Sequence, residues 1–298
     1  MDGILNIYKE KGFTSHDVVA KLRGILKQKK IGHTGTLDPD AVGVLPVCLG
    51  KATKVCDLLT DKNKTYETVL KLGYVTDTQD MTGEILAEVE VVSSREKIEE
   101  AVMSFVGSYS QIPPMYSALK VNGKKLYELA REGKVVERKP RNVEIFNITI
   151  HAIDMEQKTV TMSVECSKGT YIRTLCHDIG EKLGCGGAMA ELKRTKVSRF
   201  LLEDSLTLAQ VEELVKSGTI EEHVAQVDSL FEHLEAVMVS KKYQKYVENG
   251  NKLEVSQLTA PVKMELHKEF RVYDGNKRFV GIFEAENCKS LKPNKMFY

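Results

Sequence analysis

The chain has 298 residues, 42% of them hydrophobic, and a formal net charge of +1. That length and composition allow one large domain or two ordinary ones with a real core, while no run approaches the roughly 20 apolar residues of a membrane span. So small a net charge excludes a polyanion binder that works by its overall charge, and any affinity for nucleic acid has to come from local patches. The N-terminus, MDGILNIYKEKGFTS, carries charges where an export signal needs its apolar core. The cysteines at 48, 56, 166, 176, 185 and 288 form no C-x-x-C pair and no zinc spacing with histidine. Both features point to a reducing, cytoplasmic setting.

In chain order, Thr14 and Asp17 read as a capping box before the helical stripe Val18, Val19, Leu22, Ile25 and Leu26. The segment from Ile31 to Pro46 then sets Asp38 among glycines, small hydroxyl residues, prolines and apolar side chains, with no lysine or arginine between His33 and Pro46. A carboxylate with little local water and no neighbouring cation in sequence must find a partner elsewhere. The same Asp-Pro is also a common turn element, and both readings stand at this point. Lys64-Thr65-Tyr66 opens a strand and offers Tyr66 either to a pocket or to an ordinary cross-strand pair.

Ile85 to Val92 predicts a strand, and Ile98, Ala101, Val102, Phe105 and Val106 predict a helix ended by Gly107. Gln111 to Lys120 (QIPPMYSALK) is a proline-set loop leading into residues 120–141, where eight Lys/Arg face three Glu. That stretch is either a phosphate-binding surface or a solvated face. Val143 to Ile150 reads as a strand, as do Val160, Met162, Val164 and Cys166 with their alternation of period two. Cys166 to Arg173 (CSKGTYIR) joins that strand to a helix carrying Ile172, Leu175, Cys176, Ile179 and Leu183 and ending at Gly184. Tyr171 and Arg173 project from this strand-to-helix junction, where an arginine could pair with a buried aspartate, in a structural ion pair or in a catalytic one.

His177-Asp178 matches one element of helical metal-dependent phosphohydrolases, but no second such motif follows, so it reads as the polar edge of an amphipathic helix. Thr207 and Gln210 form another capping box before Val211, Leu214 and Val215. Residues 203–235 hold nine Asp/Glu against one Lys and read as the end of the large domain. Beyond them, Phe270–Tyr273 and Phe279–Ile282 flank Asp274-Gly275-Asn276, a hairpin signal. Helices and strands do not alternate regularly, which predicts an α+β fold with a mixed, mostly antiparallel sheet.

Taken together, Gly32 to Pro39, Gly43 to Pro46, Leu49 to Lys54, Lys64 to Tyr66, Thr76 to Asp80, Gln111 to Lys120, Cys166 to Arg173 and Leu192 to Thr195 resemble, in order, the bacterial TruB family of tRNA pseudouridine synthases. The resemblance implies the pseudouridine synthase fold over residues 1–235, with a thumb-like RNA-gripping insertion near 120–141, and a small β-rich PUA-like RNA-binding domain over 236–298. It implies isomerisation of uridine 55 in the T loop of tRNA. The target base leaves its stack to reach Asp38, the nucleophile. Tyr66 packs on the uracil and helps remove the C5 proton, and Arg173 pairs with Asp38. Tyr171 and Leu192 line the base pocket, and His33 fills the gap left in the RNA. The rearrangement stays within one nucleotide, so no cofactor or metal is expected. Nor does the sequence call for a membrane or an obligate protein partner, so the expectation is a monomer acting on the T arm. Two other readings remain: an RNA-folding protein with incidental catalysis, and a synthase for another uridine.

Overall fold

The computed structural model describes residues 1–297. Strand β1 (Gly3–Lys9) leads into helix α1 (Ser15–Ile25), then β2 (Ile31–His33), β3 (Val42–Leu49), α2 (Cys56–Thr60), β4 (Lys64–Leu72), the hairpin β5 (Tyr74–Thr76) and β6 (Ile85–Glu88), and α3 (Arg95–Met103). Next come β7 (Gly107–Gln111), the short strands β8 (Lys120–Val121) and β9 (Lys124–Lys125), α4 (Leu126–Arg131), β10 (Arg141–Asp154), β11 (Thr159–Cys166) and α5 (Ile172–Leu183). They are followed by β12 (Gly187–Val197), β13 (Phe200–Leu201), α6 (Leu208–Ser217) and β14 (Val224–Ala225). The remaining chain holds β15 (Glu235–Met238), α7 (Gln244–Glu248), β16 (Leu253–Glu254), β17 (Glu269–Tyr273), β18 (Phe279–Ala285) and β19 (Ser290–Met296).

The first sheet runs β14-β1-β3-β12-β4-β11-β10-β7, with β2 on β3 and β13 on β12. Its one parallel pair is β3–β12, so the sheet is mixed and mostly antiparallel. Strand β12 inserts between β3 and β4, which are neighbours in sequence. The approach depends on Gly43, whose φ is +105° and whose added Cβ would lie 2.2 Å from the Arg194 carbonyl oxygen. One apolar cluster joins β4, β10 and β11 to α3 and α5. A second joins β1 and β3 to α1 and α6.

The helix ends follow local chemistry. Thr14 and Thr207 each cap a helix with the reciprocal partner three residues on, Asp17 and Gln210. Helix α5 stops at Gly184 in the left-handed conformation. Two expectations are corrected. The strand expected over Ile85 to Val92 ends at Glu88, because its partner β5 is three residues long. The helix expected to reach Gly107 ends at Met103, and the chain then tightens into i−3 bonds from Phe105 and Val106.

A second, five-stranded sheet runs β15-β17-β18-β19-β16 around its own core, which includes Phe270 and Phe283. Its β17–β18 hairpin turns where expected, with Asp274 Oδ1 accepting from the backbone N–H groups of Asn276 and Arg278. Ile282 and Phe297 share a third cluster with Ile4, Val44 and Cys48, so this sheet packs against the first. The Phe279 and Phe297 rings stack there, 5.3 Å between centroids.

Candidate active site

Asp38 lies in the loop between β2 and β3, and buried polar side chains hold that loop. Ser15, at the start of α1, accepts from Leu37 N (3.0 Å) and donates to Leu37 O (3.4 Å). Lys9, at the end of β1, is wholly buried and donates to the carbonyls of Phe13 (2.5 Å), Pro39 (3.0 Å) and Glu10 (3.2 Å). Burial pushes the Lys9 ammonium down to about 8, against the opposing pull of Asp38 and Asp40. Arg194 on β12 is buried as well and donates to Val44 O (2.7 Å) and Gly35 O (3.3 Å). Thus both arms of the loop are anchored to strands that are themselves buried in the sheet.

The expected ion pair is present. Arg173 Nε lies 3.1 Å from Asp38 Oδ2, with the arginine side chain 7% exposed and the aspartate 44%. This exposure corrects the expectation of a carboxylate with little local water. The loop is apolar in composition, but its mouth is open, and Asp38 points toward the solvent side of the pair. The rest of the Arg173 fork is also occupied. Nη1 donates to Thr78 O (3.0 Å) and lies 3.6 Å from Asp80, while Nη2 donates to Tyr116 O (2.8 Å). Asp80 is in turn fixed by the hydroxyls of Thr78 (2.8 Å) and Thr82 (2.6 Å). A guanidinium bound at every edge has one orientation, and Arg173 presents Nε to Asp38 in that orientation.

Tyr66 sits on β4 between β11 and β12, in register with Val164 and Arg194, and is buried. Burial raises its phenol above the ordinary value, opposed by the neighbouring Arg194 guanidinium. Leu37, Ala41 and Tyr66 belong to one apolar cluster, with Leu192 packed against it. Tyr171 is half-buried at the N-cap of α5, two residues before Arg173. His33 accepts a long contact from Gly35 N–H at Nδ1 (3.4 Å) and meets His16 edge-on, 5.3 Å between centroids. Burial lowers its pKa, which favours the neutral ring.

A cavity of about 630 Å³ opens elsewhere, lined by Leu58, Arg199, Phe231 and others near the seam between the sheets, and none of the residues around Asp38 takes part in it. The Asp38 site is an open ledge that a substrate would complete.

The model of the TruB family pseudouridylate synthase N-terminal domain matches residues 23–172, and that of the tRNA pseudouridylate synthase B C-terminal domain matches residues 173–238. The chain belongs to the TruB family. It is 56% identical to the tRNA pseudouridine synthase B of Lachnoclostridium phytofermentans over 100% of both chains. It is 50% identical to that of Alkaliphilus oremlandii, over 100% of this chain and 99% of the other. Among solved structures, a Cbf5-Nop10-Gar1 complex superposes with a TM-score of 0.73 at 28% identity, over 99% of this chain and 85% of that one. An H/ACA RNP bound to a substrate RNA containing 2'-deoxyuridine gives 0.72 at 25%, with the same coverage. The fold of this TruB-family chain is thus the pseudouridine synthase fold.

The structure pairs Asp38 with Arg173, puts Tyr66 in the apolar cluster that Leu37 shares and Leu192 packs on, and adds groups that sequence reading missed. Lys9 gave no signal, because β1 is buried on both faces, Ile4 and Asn6 as well as Leu5 and Ile7. Arg194 and Asp80 lay inside quoted segments, but their burial follows from strand pairings far apart in sequence. Asp178 is not free on the helix edge. It accepts a short hydrogen bond from the Tyr109 hydroxyl.

Proposed function

We propose that this chain isomerises uridine to pseudouridine at position 55 in the T loop of tRNA, with Asp38 as the nucleophile. The observation that carries the reading is the Asp38–Arg173 pair, held beside the Tyr66–Leu37–Leu192 apolar floor on an open ledge. The reaction breaks the C1′–N1 bond, turns the uracil and joins C5 to C1′; C5 gives up its proton to solvent or a base, and N1 takes one up. A fixed, paired carboxylate can attack the nucleotide without reorganising. Tyr66 packs against the flipped base and helps remove the C5 proton. Tyr171 and Leu192 close the pocket around the base, and neutral His33 stacks in the gap left in the RNA.

The exposed cations of 120–141 hold RNA phosphates as a thumb, and the second sheet over 236–298 is a PUA-like RNA-binding unit. Curated relatives named tRNA pseudouridine synthase B support tRNA as the substrate. No described helix is long and apolar enough to cross a membrane. The chain acts on free tRNA as a monomer in the cytoplasm, without cofactor, metal or obligate partner protein.

The test is to incubate purified protein with unmodified tRNA and map pseudouridine by nucleotide. Modification confined to position 55 supports the proposal. Modification at another uridine, or none, contradicts it.

A further inference from the structure

The roles above leave unused the side chain of Gln111, the last residue of β7. It is 1% exposed, and both of its polar atoms meet a single residue 60 positions away. Its Nε2 donates to Tyr171 O (3.0 Å), and its Oε1 accepts from Tyr171 N (2.8 Å). The side-chain amide thus copies the reciprocal pairing of two strand residues. Tyr171 is the N-cap of α5 and receives no side-chain cap of the usual kind. This helix start also carries Arg173 in its first turn, where a cation opposes the helix dipole. A helix end with free backbone groups and an unfavourable charge needs an outside fix to keep one geometry.

The same strand grips α5 again farther along, where Tyr109 donates to Asp178. At the other end of the 111–117 segment, Tyr116 O receives Arg173 Nη2. β7 and the segment after it therefore bracket the helix start that carries both Tyr171 and Arg173.

We infer that Gln111 is a positioning residue for the isomerisation: its amide fixes the first turn of α5, and through it sets Tyr171 and Arg173 against Asp38. The inference rests on the function proposed above for Asp38 and Arg173. It also explains why a neutral amide is buried at the root of a basic insertion: an amide bonded through both its nitrogen and its oxygen offsets its desolvation and keeps its geometry at any salt.

The test uses the full chain with unmodified tRNA and compares wild type with Gln111→Met and Gln111→Ala. Methionine keeps length and volume but loses both hydrogen bonds. A displacement of about 1 Å at the ion pair should lower kcat about 10- to 100-fold. KM and the tRNA dissociation constant should stay close to wild type, and the Met variant should still melt cooperatively. If alanine fails to fold, methionine carries the test alone. Unchanged kcat, or a loss that disappears once rates are scaled to the folded fraction, overturns the inference. Wild-type protein that leaves tRNA unmodified would instead remove the function on which it rests.

Discussion

The Asp38 loop and the 120–141 segment handle charge in opposite ways. Around Asp38 the polar groups are buried and bonded: Lys9 to three carbonyls, Arg194 to two, and Arg173 at each edge of its fork. Along 120–141, Lys120, Lys124, Arg131, Lys134, Lys139 and Arg141 are exposed, and Lys124 and Lys134 share the exposed Glu132. Chemistry on one nucleotide needs groups fixed to within a fraction of an ångström. Gripping a phosphate chain needs charge that acts through water and tolerates movement. Under the proposed function, the difference would separate a site for the chemistry from a surface for RNA.

The comparison breaks first at Arg173. Arg173→Leu removes the cation between Asp38 and Asp80, and single-turnover pseudouridine formation should fall about 100- to 1,000-fold while tRNA binding changes little. Equal losses in rate and affinity would show that the ion pair serves binding instead. Next is Lys9→Met, which frees the Pro39 carbonyl behind Asp38. A lower rate with intact tRNA binding is expected, by about 10-fold.

The same variant carries a pH test. Lys9 and Lys64 are both pushed down to about 8 by burial. Between pH 8 and the unfolded value near 10.5 the unfolded chain holds more protons, so these groups make stability rise with pH across that window. Thermal melts of Lys9→Met across it should show a smaller rise than wild type, and an unchanged rise would place Lys9 outside the linkage.

On the other side of the comparison, Lys134→Ala with Lys139→Ala should weaken tRNA binding and flatten its salt dependence by about 0.7–0.9 log units per lost phosphate contact, leaving the saturated rate unaltered. Binding that keeps its full salt slope would remove these residues from the RNA surface. The smallest effect belongs to Thr14→Ala, which deletes the cap of α1 and should cost about 1 kcal/mol in denaturant unfolding with no change in rate.

Much of the fold was legible because its signals are local. The Thr14–Asp17 and Thr207–Gln210 boxes, the Gly184 stop and the alternation of 160–166 each act within a few residues, and all of them hold in the structure. Strand β10 was read short, because bulges between Ile145 and Asn147 and between Ile150 and Ala152 break its alternation. Strand β12 carries Lys193, Arg194 and Lys196 in its C-terminal half and gives no apolar period, yet it occupies the middle of the sheet.

Within the site, the residues alone showed an Asp38 with no nearby cation and an Arg173 placed to meet a carboxylate, and the family resemblance joined the two. The solvent exposure of Asp38 did not follow, since an apolar loop composition says nothing about whether its mouth is covered. Lys9, Gln111 and Arg194 stayed hidden for a related reason: a polar residue becomes a buried anchor only when distant strands close around it, and no local pattern encodes that closure.

The most direct measurement is single-turnover pseudouridine formation by Asp38→Asn beside its tRNA dissociation constant. The substitution keeps the shape of the side chain and removes its charge and nucleophilicity. Undetectable product with near wild-type affinity is expected for a carboxylate that performs the chemistry. Product formed at a rate near wild type would contradict the assignment of Asp38 as the nucleophile.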